Sequence, residues 1–401
     1  MIAVSRETFS SLKYKPTLLQ VIPALTSGGV EIETIEIAKA IIAAGGRAIV
    51  VSGTGAGEIK EEGIEFRTLP LNTKNPFRIA KNITRLKNLI RKEKVDLVHA
   101  RSRGPAWSAY KAARALKVPF VTTYHAAYSS GSVLKVFYNS IMARGDRVIA
   151  ISRFIENHII KKYKKFSWFE ASKIRLIERG IDLHLFDPTA ISKDCVENLK
   201  DAWGTSGKRL ILLPGRISRK KGQELLINAL SRMKQKDVML VFVGSAQGHD
   251  SYRDFLLQYA GSLGLGERIK WIHPCHDLPA AYQLADVIVC PSLSPEGFGR
   301  VIAEAQAMKK PIIVSNHGAA PEVIEDGVTG WATPPGDAEA LAQALEDVLA
   351  LSPARLKDIG EKGRRRVEAY YSRDMMGSKT IAVYKELLPS LSFPAFARTS
   401  S

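Results

Sequence analysis

The chain of 401 residues has little cysteine and no long apolar run. Its three cysteines, Cys195, Cys275 and Cys290, are odd in number and widely spaced, which argues against a disulfide framework and for a reducing compartment. No apolar run approaches the roughly eighteen residues of a membrane-spanning helix. The first residues also lack the apolar core and cleavage site of a signal peptide. These absences predict a cytoplasmic protein.

Internal repeats, low-complexity tracts and recognisable nucleic-acid-binding modules are absent from the sequence as well. The length suits two domains of ordinary size, and 45% hydrophobic with 24% charged residues is typical of a globular protein. The net charge of +18 suits a polyanionic partner, which leaves nucleic acid, an anionic membrane surface and a phosphorylated substrate open.

From Thr17 onward, short apolar runs alternate with longer amphipathic ones. This pattern predicts parallel sheets with crossover helices. The most informative stretch is 286–308, where we predict a strand over 286–290, a loop over 291–295 and a helix over 298–308. Free N–H groups in the first turn of such a helix, together with its dipole, favour a phosphate or an oxygen-rich sugar.

Two glutamates, Glu296 and Glu304, bracket that first turn. If the intervening residues were all helical, the two would lie about 12 Å apart along the axis. That exceeds the roughly 5 to 9.5 Å between the carboxylates of a glycoside hydrolase. We therefore expect the two glutamates to hold two parts of one long ligand.

Other candidate residues of the second half follow two further predicted strands. Arg216 and Lys221 come after the strand at 210–214 and open another helix. Cations are unfavourable at a helix N-terminus unless an anion joins them, so this pair predicts an anionic ligand. Gly244 follows the strand at 238–243 in the same way.

In the first half, candidate residues also stand at strand ends. Gly28 and Gly29 follow the first strand, where glycine permits a phosphate to approach the backbone, although a plain tight turn would need them too. His125 ends the strand at 120–123 and is either a sugar-binding or a structural histidine. Arg101 and Arg103 suit a carboxylate or phosphate on an acceptor, or are solvated loop residues.

Two more stretches have competing interpretations. In the segment 161–169, lysines alternate with aromatic residues, which fits a membrane-surface patch, nucleic-acid stacking or a solvated helix end. The glycine cluster at 53–57 fails as a dinucleotide fingerprint, because its third glycine is misplaced and no crossover helix has room to follow. That failure argues against a dehydrogenase.

Glu296, seven residues and then Glu304, following the pattern P-S-x-x-P, resemble the signature of retaining glycosyltransferases of family 4. The resemblance covers nearly the whole chain. It implies the α/β fold called GT-B, with two facing Rossmann-like domains, a deep interdomain cleft and a C-terminal return helix. The predicted units are an acceptor-binding domain at 1–187, a nucleotide-sugar-binding domain at 188–370, and the return helix with a tail at 371–401.

The resemblance also implies roles for the candidate residues. The sugar hydroxyls would be held by Glu296 and the ribose by Glu304, while Arg216 and Lys221 clamp the diphosphate and His125 lies beside the sugar. The implied catalytic residues are His125, Arg216, Lys221 and Glu296. The implied donor-binding residues are Gly28, Gly29, Gly244, Phe298, Gly299 and Glu304. No metal and no cofactor is expected besides the nucleotide-sugar donor.

Within the family, R-S-R-G-P-A-W-S-A, T-Y-H, F-Y-N-S and R-G-I-D resemble the mannosyltransferases of bacterial lipopolysaccharide core synthesis. This implies GDP-mannose as donor, a lipopolysaccharide-core or other glycolipid acceptor held by Arg101 and Arg103, and peripheral contact with the inner face of the cytoplasmic membrane. Three sites depart from the family: Arg179 replaces a common asparagine, Lys309-Lys310 stands where a glycine is usual, and His317-Gly318 replaces a Gly-Gly turn.

Alternatives remain at this point. The donor could be a UDP-sugar used on another glycan, and a sugar phosphorylase or nucleotide-sugar epimerase could share the fold. A nucleic-acid-binding protein is disfavoured because the basic residues are expected to be dispersed over helices. Since no carboxylate nucleophile is evident, we hypothesise front-side attack, with the departing phosphate acting as base.

Overall fold

Two parallel β-sheets organise the computed structural model, which describes residues 15–25, 28–55, 61–73, 75–128, 131–246 and 248–389. The first sheet has the strand order β3-β2-β1-β4-β5-β6-β7 and the second β10-β9-β8-β11-β12-β13. Every strand pair is parallel, as the predicted α/β fold requires. The prediction of two Rossmann-like sheets is confirmed.

The first sheet belongs to the N-terminal half. Its strands are β1 Thr17–Val21, β2 Arg47–Ser52, β3 Ile64–Thr68, β4 Leu97–Ala100, β5 Phe120–Tyr124, β6 Arg147–Ala150 and β7 Ile174–Leu176. Its helices are α1 Gly29–Ala43, α2 Pro76–Lys92, α3 Arg103–Ala115, α4 Val133–Ser140 and α5 Arg153–Tyr163. The central strands β1 and β4 are buried throughout, because helices cover both faces of the sheet.

The second sheet follows after α6 Lys193–Ala202. Its strands are β8 Arg209–Pro214, β9 Val238–Val243, β10 Ile269–Ile272, β11 Val287–Cys290, β12 Ile312–Ser315 and β13 Trp331–Thr333. Its helices are α7 Gln223–Arg232, α8 Asp250–Ser262, α9 Leu278–Leu284, α10 Arg300–Ala307, α11 Ala320–Val323, α12 Ala338–Leu349 and α13 Pro353–Tyr370. The last helix is α14 Arg373–Leu387.

The helix α10 begins two residues later than the sequence predicts. Gly299 has φ +87°, a left-handed conformation that ends regular helical backbone, and it serves as the N-cap. Glu296 therefore lies in the loop before the helix, so the separation of about 12 Å estimated for an all-helical segment does not apply.

The helix α14 returns to the first half of the molecule. It packs against α1, where a Cβ on Gly377 would lie only 2.9 Å from the Cβ of Ala40. At its far end Tyr384 is buried, and its hydroxyl lies 2.7 Å from Nδ1 of His99 on β4. The boundaries predicted at residues 187 and 370 stay predictions, and residues 390–401 of the predicted tail lie outside the described part.

The two halves share an apolar core as well as polar contacts. One cluster of buried side chains includes Leu19 and Tyr124 from the first sheet region and Tyr282 and Phe298 from the second. Glu322 of α11 accepts hydrogen bonds from the N–H groups of Arg153 and Phe154, at 2.9 and 2.6 Å, and thereby satisfies free donors at the start of α5. The halves are thus held in one defined arrangement in this structure.

Candidate functional site

The candidate residues gather where strands of the two sheets end. Gly28 and Gly29 follow β1, His125 follows β5, Lys221 lies beyond β8, and Glu296 lies beyond β11. All these strands are parallel, so each sheet presents its carboxyl ends on one edge, the usual position of ligand sites in α/β folds.

The most tightly defined part of the site is a three-residue contact around Glu296. Nζ of Lys221 donates to Oε1 of Glu296 at 2.6 Å, and the hydroxyl of Ser292 donates to the same oxygen at 2.6 Å. The side chains of Lys221 and Glu296 are 25% and 20% exposed. The pair is therefore fixed in position yet open on one side to a ligand.

The protonation states in this contact follow from its surroundings. Burial raises the pKa of the Glu296 carboxyl, but Lys221 and Ser292 outweigh burial and hold that pKa below its usual range. Burial lowers the pKa of Lys221, and the attraction of Glu296 outweighs it, so the lysine pKa is raised. Both groups are charged at neutral pH.

The backbone around Glu296 is held by a glycine turn. Gly318 has φ +65°, and a Cβ there would lie 2.7 Å from both N and O of Glu296, so no larger residue fits. The N–H of Ala319 donates to the Glu296 carbonyl at 2.9 Å. The ring of His317 contacts the Ser292 carbonyl at 2.7 Å through Nε2.

The loop that carries Glu296 also touches the first half of the molecule. A Cβ on Gly297 would lie 2.5 Å from the His125 carbonyl, and Ser152 Oγ donates to the Gly297 carbonyl at 2.7 Å. His125 and Glu296, which are far apart in sequence, are therefore parts of one site.

The His125 side chain is only 7% exposed and has one nitrogen without a hydrogen-bond partner. Nη2 of Arg179 lies 3.3 Å from Nδ1 of His125 and can only donate, so Nδ1 accepts and Nε2 carries the hydrogen. Nε2 is buried without a hydrogen-bond partner. Burial lowers the pKa of His125 well below its usual value, with Arg179 and Arg101 adding to the effect and Glu33 opposing it. A neutral histidine with a free N–H suits donation to a sugar oxygen.

Next to His125 is a buried ionic cluster, which consists of Glu33, Arg101 and Arg179. Glu33 is 4% exposed and accepts from Arg101 and, at 2.6 Å, from Nε of Arg179. Although burial raises the pKa of Glu33, the two arginines lower it far below its usual range. The cluster fixes Arg179 against His125.

Arg101 is placed differently from our prediction. Its side chain is 1% exposed, and it also donates to Thr123 at 3.2 Å. An arginine committed to a buried carboxylate cannot face a bound acceptor, which argues against the predicted acceptor contact. Arg103, two residues further along the chain, has other partners. It donates to Asn139 at 2.7 Å, and its guanidinium lies 4.1 Å from the centre of the Tyr128 ring.

Glu304 lies on α10 in a second contact group. Its Oε2 accepts from the Tyr282 hydroxyl at 2.8 Å, and its Oε1 lies 3.4 Å from Nε of Arg300. Glu304 and Arg300 line a cavity of about 410 Å³ between α1 and the helices α9 and α10, together with Leu278 and Pro279. The cavity is large enough for a small ligand and has one wall from each half of the molecule.

Three positions predicted to bind the donor, Gly29, Arg216 and Gly244, have different surroundings. A Cβ on Gly29 would lie 3.1 Å from Nη1 of Arg179 and 3.3 Å from Cδ of Arg300, so this glycine sits between the two arginines. Arg216 is exposed, and Gly244 packs its backbone against Gly215, where a Cβ would lie 2.2 Å from the carbonyl oxygen. Ser27, in the predicted glycine turn, lies outside the described residues.

Phe298 has a structural contact. Its side chain is 2% exposed and packs edge-on against Tyr371 at a ring distance of 5.4 Å. A donor could therefore meet only the backbone of Phe298.

Sequence reasoning missed two arginines that shape the site. Arg179 was noted as a departure from the family but was given no role, and Arg300 was not singled out. The available signal for Arg300 was its position four residues before Glu304, which places both on one helix face. Nothing in the sequence pairs Arg179 with Glu33, because 146 residues separate them.

The described residues contain neither a candidate metal-binding cluster nor a membrane-spanning helix. Among them, His, Cys, Asp and Glu side chains nowhere form a group of three or more that could hold a metal ion. Every helix in the described ranges is too short or too polar to cross a bilayer.

Two facing Rossmann-like sheets with one site built from both define the GT-B class of glycosyltransferase folds. The chain matches the family "Glycosyltransferase Family 4" over residues 27–185 and "Glycosyl transferases group 1" over residues 195–366. It is 37% identical to a glycosyltransferase of known structure from Rickettsia africae, with a TM-score of 0.86 over 93% of this chain and 99% of the other. The chain therefore belongs to the family 4, group 1 glycosyltransferases.

Two further comparisons concern donors. The structure of Anabaena Alr3699/HepE in complex with UDP and glucose is 25% identical to this chain, with a TM-score of 0.80 over 93% of this chain and 99% of that one. A GDP-mannose-dependent phosphatidylinositol monomannoside mannosyltransferase from Mycolicibacterium smegmatis is 27% identical over 295 residues, covering 70% of this chain and 74% of the relative.

Proposed function

We propose that the protein is a retaining, metal-independent hexosyltransferase that moves mannose from GDP-mannose to a lipopolysaccharide core or other glycolipid acceptor at the cytoplasmic face of the membrane. The observation that carries the proposal is the contact between Gly297 and the His125 backbone, which joins the Lys221–Glu296 pair of one half to the free Nε2 of the other. A ligand in that place would be held from both sides.

Each part of a nucleotide sugar has a partner here. Glu296 would accept hydrogen bonds from sugar hydroxyls while His125 Nε2 donates one. Lys221 and Arg216 would neutralise the diphosphate as it departs, which supplies electrostatic stabilisation without a metal ion. Glu304, held by Tyr282, would accept from the ribose hydroxyls within the cavity of about 410 Å³.

The retaining mechanism is supported by the state of the nearby carboxylates. Glu296 is paired with Lys221, and Glu33 is enclosed by two arginines. Since neither is a free nucleophile, we propose front-side attack in which the leaving phosphate accepts the proton of the acceptor hydroxyl. Isolation of a covalent glycosyl-enzyme would contradict this mechanism.

The choice of donor rests on the resemblance to core mannosyltransferases and on the mycobacterial relative that is named for GDP-mannose and a glycolipid. The UDP-bound Anabaena structure favours a second candidate, transfer from a UDP-sugar to another glycan. The two candidates share the sites for diphosphate and ribose and differ in the base and sugar.

The test is thermal unfolding of the protein against GDP, GDP-mannose, UDP, UDP-glucose, ADP, CMP and NAD. A ligand that binds only the folded protein raises the apparent unfolding temperature by mass action. We expect a rise with GDP and GDP-mannose. Glu304→Ala should lose most of it, because a hydrogen bond to a charged group contributes about 1.5–3 kcal/mol, or roughly 10- to 150-fold in Kd.

The matched control is Glu325→Ala, which removes an exposed carboxylate of the same half. It should keep the full rise in unfolding temperature. A rise with UDP ligands alone would retain the transferase and replace the mannose assignment. If no nucleotide changes the unfolding temperature, the donor site is wrong.

A further inference from the structure

The excess positive charge is concentrated in one part of the chain. Residues 67–145 contain sixteen lysines and arginines but only two acidic residues, Glu93 and Asp96, a net +14 of the chain's +18. The helices α2, α3 and α4 fall inside this segment and contain no acidic residue at all. The basic residues thus lie on helices, as expected, but those of this segment are concentrated on three neighbouring ones.

These three helices surround a cavity of about 870 Å³ whose lining shares no residue with the cavity at Glu304. Its apolar wall comes from α2, α3 and α4 together. The apolar residues that line it include Ile79, Ile83, Trp107, Leu134 and Phe137. The cationic residues that line it are Arg103, Lys111 and Lys135. Among the described residues that line this cavity, none is acidic.

The helix α4 exposes apolar side chains beside the cavity. Val133 is 85% exposed, Leu134 81% and Phe137 59%, and Lys135 between them is exposed too. Single exposed apolar residues are ordinary, but three on one helix face beside an apolar cavity mark an interaction surface. The Phe137 ring stacks on Trp107 at 5.1 Å, which ties α4 to α3.

The aromatic segment at 161–169 is a weaker candidate for the membrane contact predicted there. Tyr163 is fully buried, Trp168 packs against the Phe166 ring at 5.6 Å, and Arg144 lies over Trp168 at 4.0 Å. Phe166 alone among these rings is exposed, at 42%, so the segment offers less apolar surface to a bilayer than α4 does.

We propose that the face formed by α2, α3 and α4 docks on an anionic lipid bilayer, with Val133, Leu134 and Phe137 inserted among the lipid chains. The cavity takes the chain of one anionic lipid, and its lysines and Arg103 meet the headgroup. Exposed aliphatic side chains surrounded by cations match this partner, because nucleic acid offers them no apolar phase. The inference rests on the proposed function only in placing the acceptor within that bilayer.

The first experiment measures co-sedimentation of the full chain with phosphatidylcholine vesicles, with and without phosphatidylglycerol. We expect binding to the anionic vesicles that weakens as salt increases. Leu134→Asp should reduce that binding at least about tenfold, because it places a charge where an apolar side chain inserts. The matched control is Leu257→Asp on α8, at a leucine that is 45% exposed, which should bind as the unaltered protein does.

A second pair of variants tests the charge. Lys135→Glu should weaken binding by more than about fivefold. Removing one cation near an anionic leaflet already has about that effect, and the substitution also introduces a negative charge. Lys357→Glu, at an exposed lysine of α13, should have little effect because it lies outside the proposed surface.

The donor-induced rise in unfolding temperature, measured on the same variants, separates this inference from the proposed function. Leu134→Asp should keep that rise while losing vesicle binding. Equal binding of neutral and anionic vesicles, or unchanged binding by Leu134→Asp, would overturn the docking surface even if the donor site is correct. Preferential binding of single-stranded RNA that Lys135→Glu abolishes, without vesicle binding, would also overturn it.

Discussion

The two halves of the site use charge in different ways. In the first half, Glu33 and Arg101 are 5% and 1% exposed at their side chains, and Arg179 is 12% exposed. In the second half, Lys221 and Glu296 remain 25% and 20% exposed although they are only 2.6 Å apart. The first group is closed to any ligand of ordinary size, and the second is open to one.

This difference separates residues that position another side chain from residues that can bind the ligand. A buried charge must keep its partners, because losing one leaves the other without compensation in a medium of low polarity. The first cluster therefore fixes the tautomer and orientation of His125. A partly exposed pair can exchange part of its interaction for a ligand, so the second group is the one suited to meet the diphosphate and sugar.

The largest expected effect breaks the buried cluster. Glu33→Gln leaves Arg101 and Arg179 without their carboxylate, and we expect the free energy of unfolding to fall by about 3–5 kcal/mol. Urea unfolding followed by circular dichroism measures this loss. Glu386→Gln is the control, because Glu386 is 34% exposed and pairs with Arg147 and Arg175 at the surface.

For that exposed network the expected loss is below about 1 kcal/mol. Equal losses for the two variants would show that burial does not distinguish the clusters, and the comparison would fail.

The second prediction concerns the open pair. Lys221→Met removes the cation that would stabilise the departing diphosphate, and we expect kcat to fall about 10²- to 10³-fold. Stability should change far less than in Glu33→Gln, since the site is partly solvated. Initial rates with the donor identified by thermal unfolding, together with urea unfolding, measure both quantities.

Lys220→Met is the neighbouring control, because Lys220 is exposed and is not placed against Glu296. A Lys221→Met enzyme with unchanged kcat would exclude the proposed role in diphosphate departure.

The smallest effect is the pH dependence of stability. Burial lowers the pKa of both His99 and His125, so in the folded protein they stay neutral below the usual value of 6.5. Below that pH the unfolded chain binds protons that the folded protein does not. The free energy of unfolding should therefore decrease as pH falls from 7 to 5, by at most about 1.4 kcal/mol per pH unit for each histidine.

Urea unfolding at several pH values measures the slope. His125→Gln should reduce it while leaving the His99 contribution, whereas His184→Gln, at the His184 of an exposed turn, should not. A slope that is the same in all three proteins would show that His125 is not held neutral by its surroundings.

Much of the architecture could be predicted because its signals are local. Apolar runs of four to six residues, such as those of β8 and β9, carry the strand signal in the sequence itself. The helix α6 gives little sign of burial in the sequence, since none of its residues is fully buried and its contact with the second half comes from a few residues such as Cys195, which donates to Asp277 at 3.4 Å.

The candidate site also contains residues that the sequence indicates and residues whose position only the packing decides. Glu296, Glu304, Arg216 and Lys221 could be proposed from the sequence because each lies in a short motif that follows a strand, where residue type and spacing carry the information. Arg101 was placed wrongly, because an arginine beside a strand end has the same local sequence whether it faces solvent or a buried carboxylate. Only the position of Glu33, 68 residues away, distinguishes the two.

By itself the sequence determined the parallel sheets, the strand-end motifs and the size of the positive charge, since these depend on residue type and short-range spacing. The tertiary structure decided which charged side chains are buried and which are accessible to a ligand. It enclosed Glu33 between Arg101 and Arg179, placed Gly297 against His125, and left the cations of α2, α3 and α4 around an apolar cavity. Burial depends on long-range packing. It determines both the free-energy cost of a charged side chain and whether a ligand can reach that side chain.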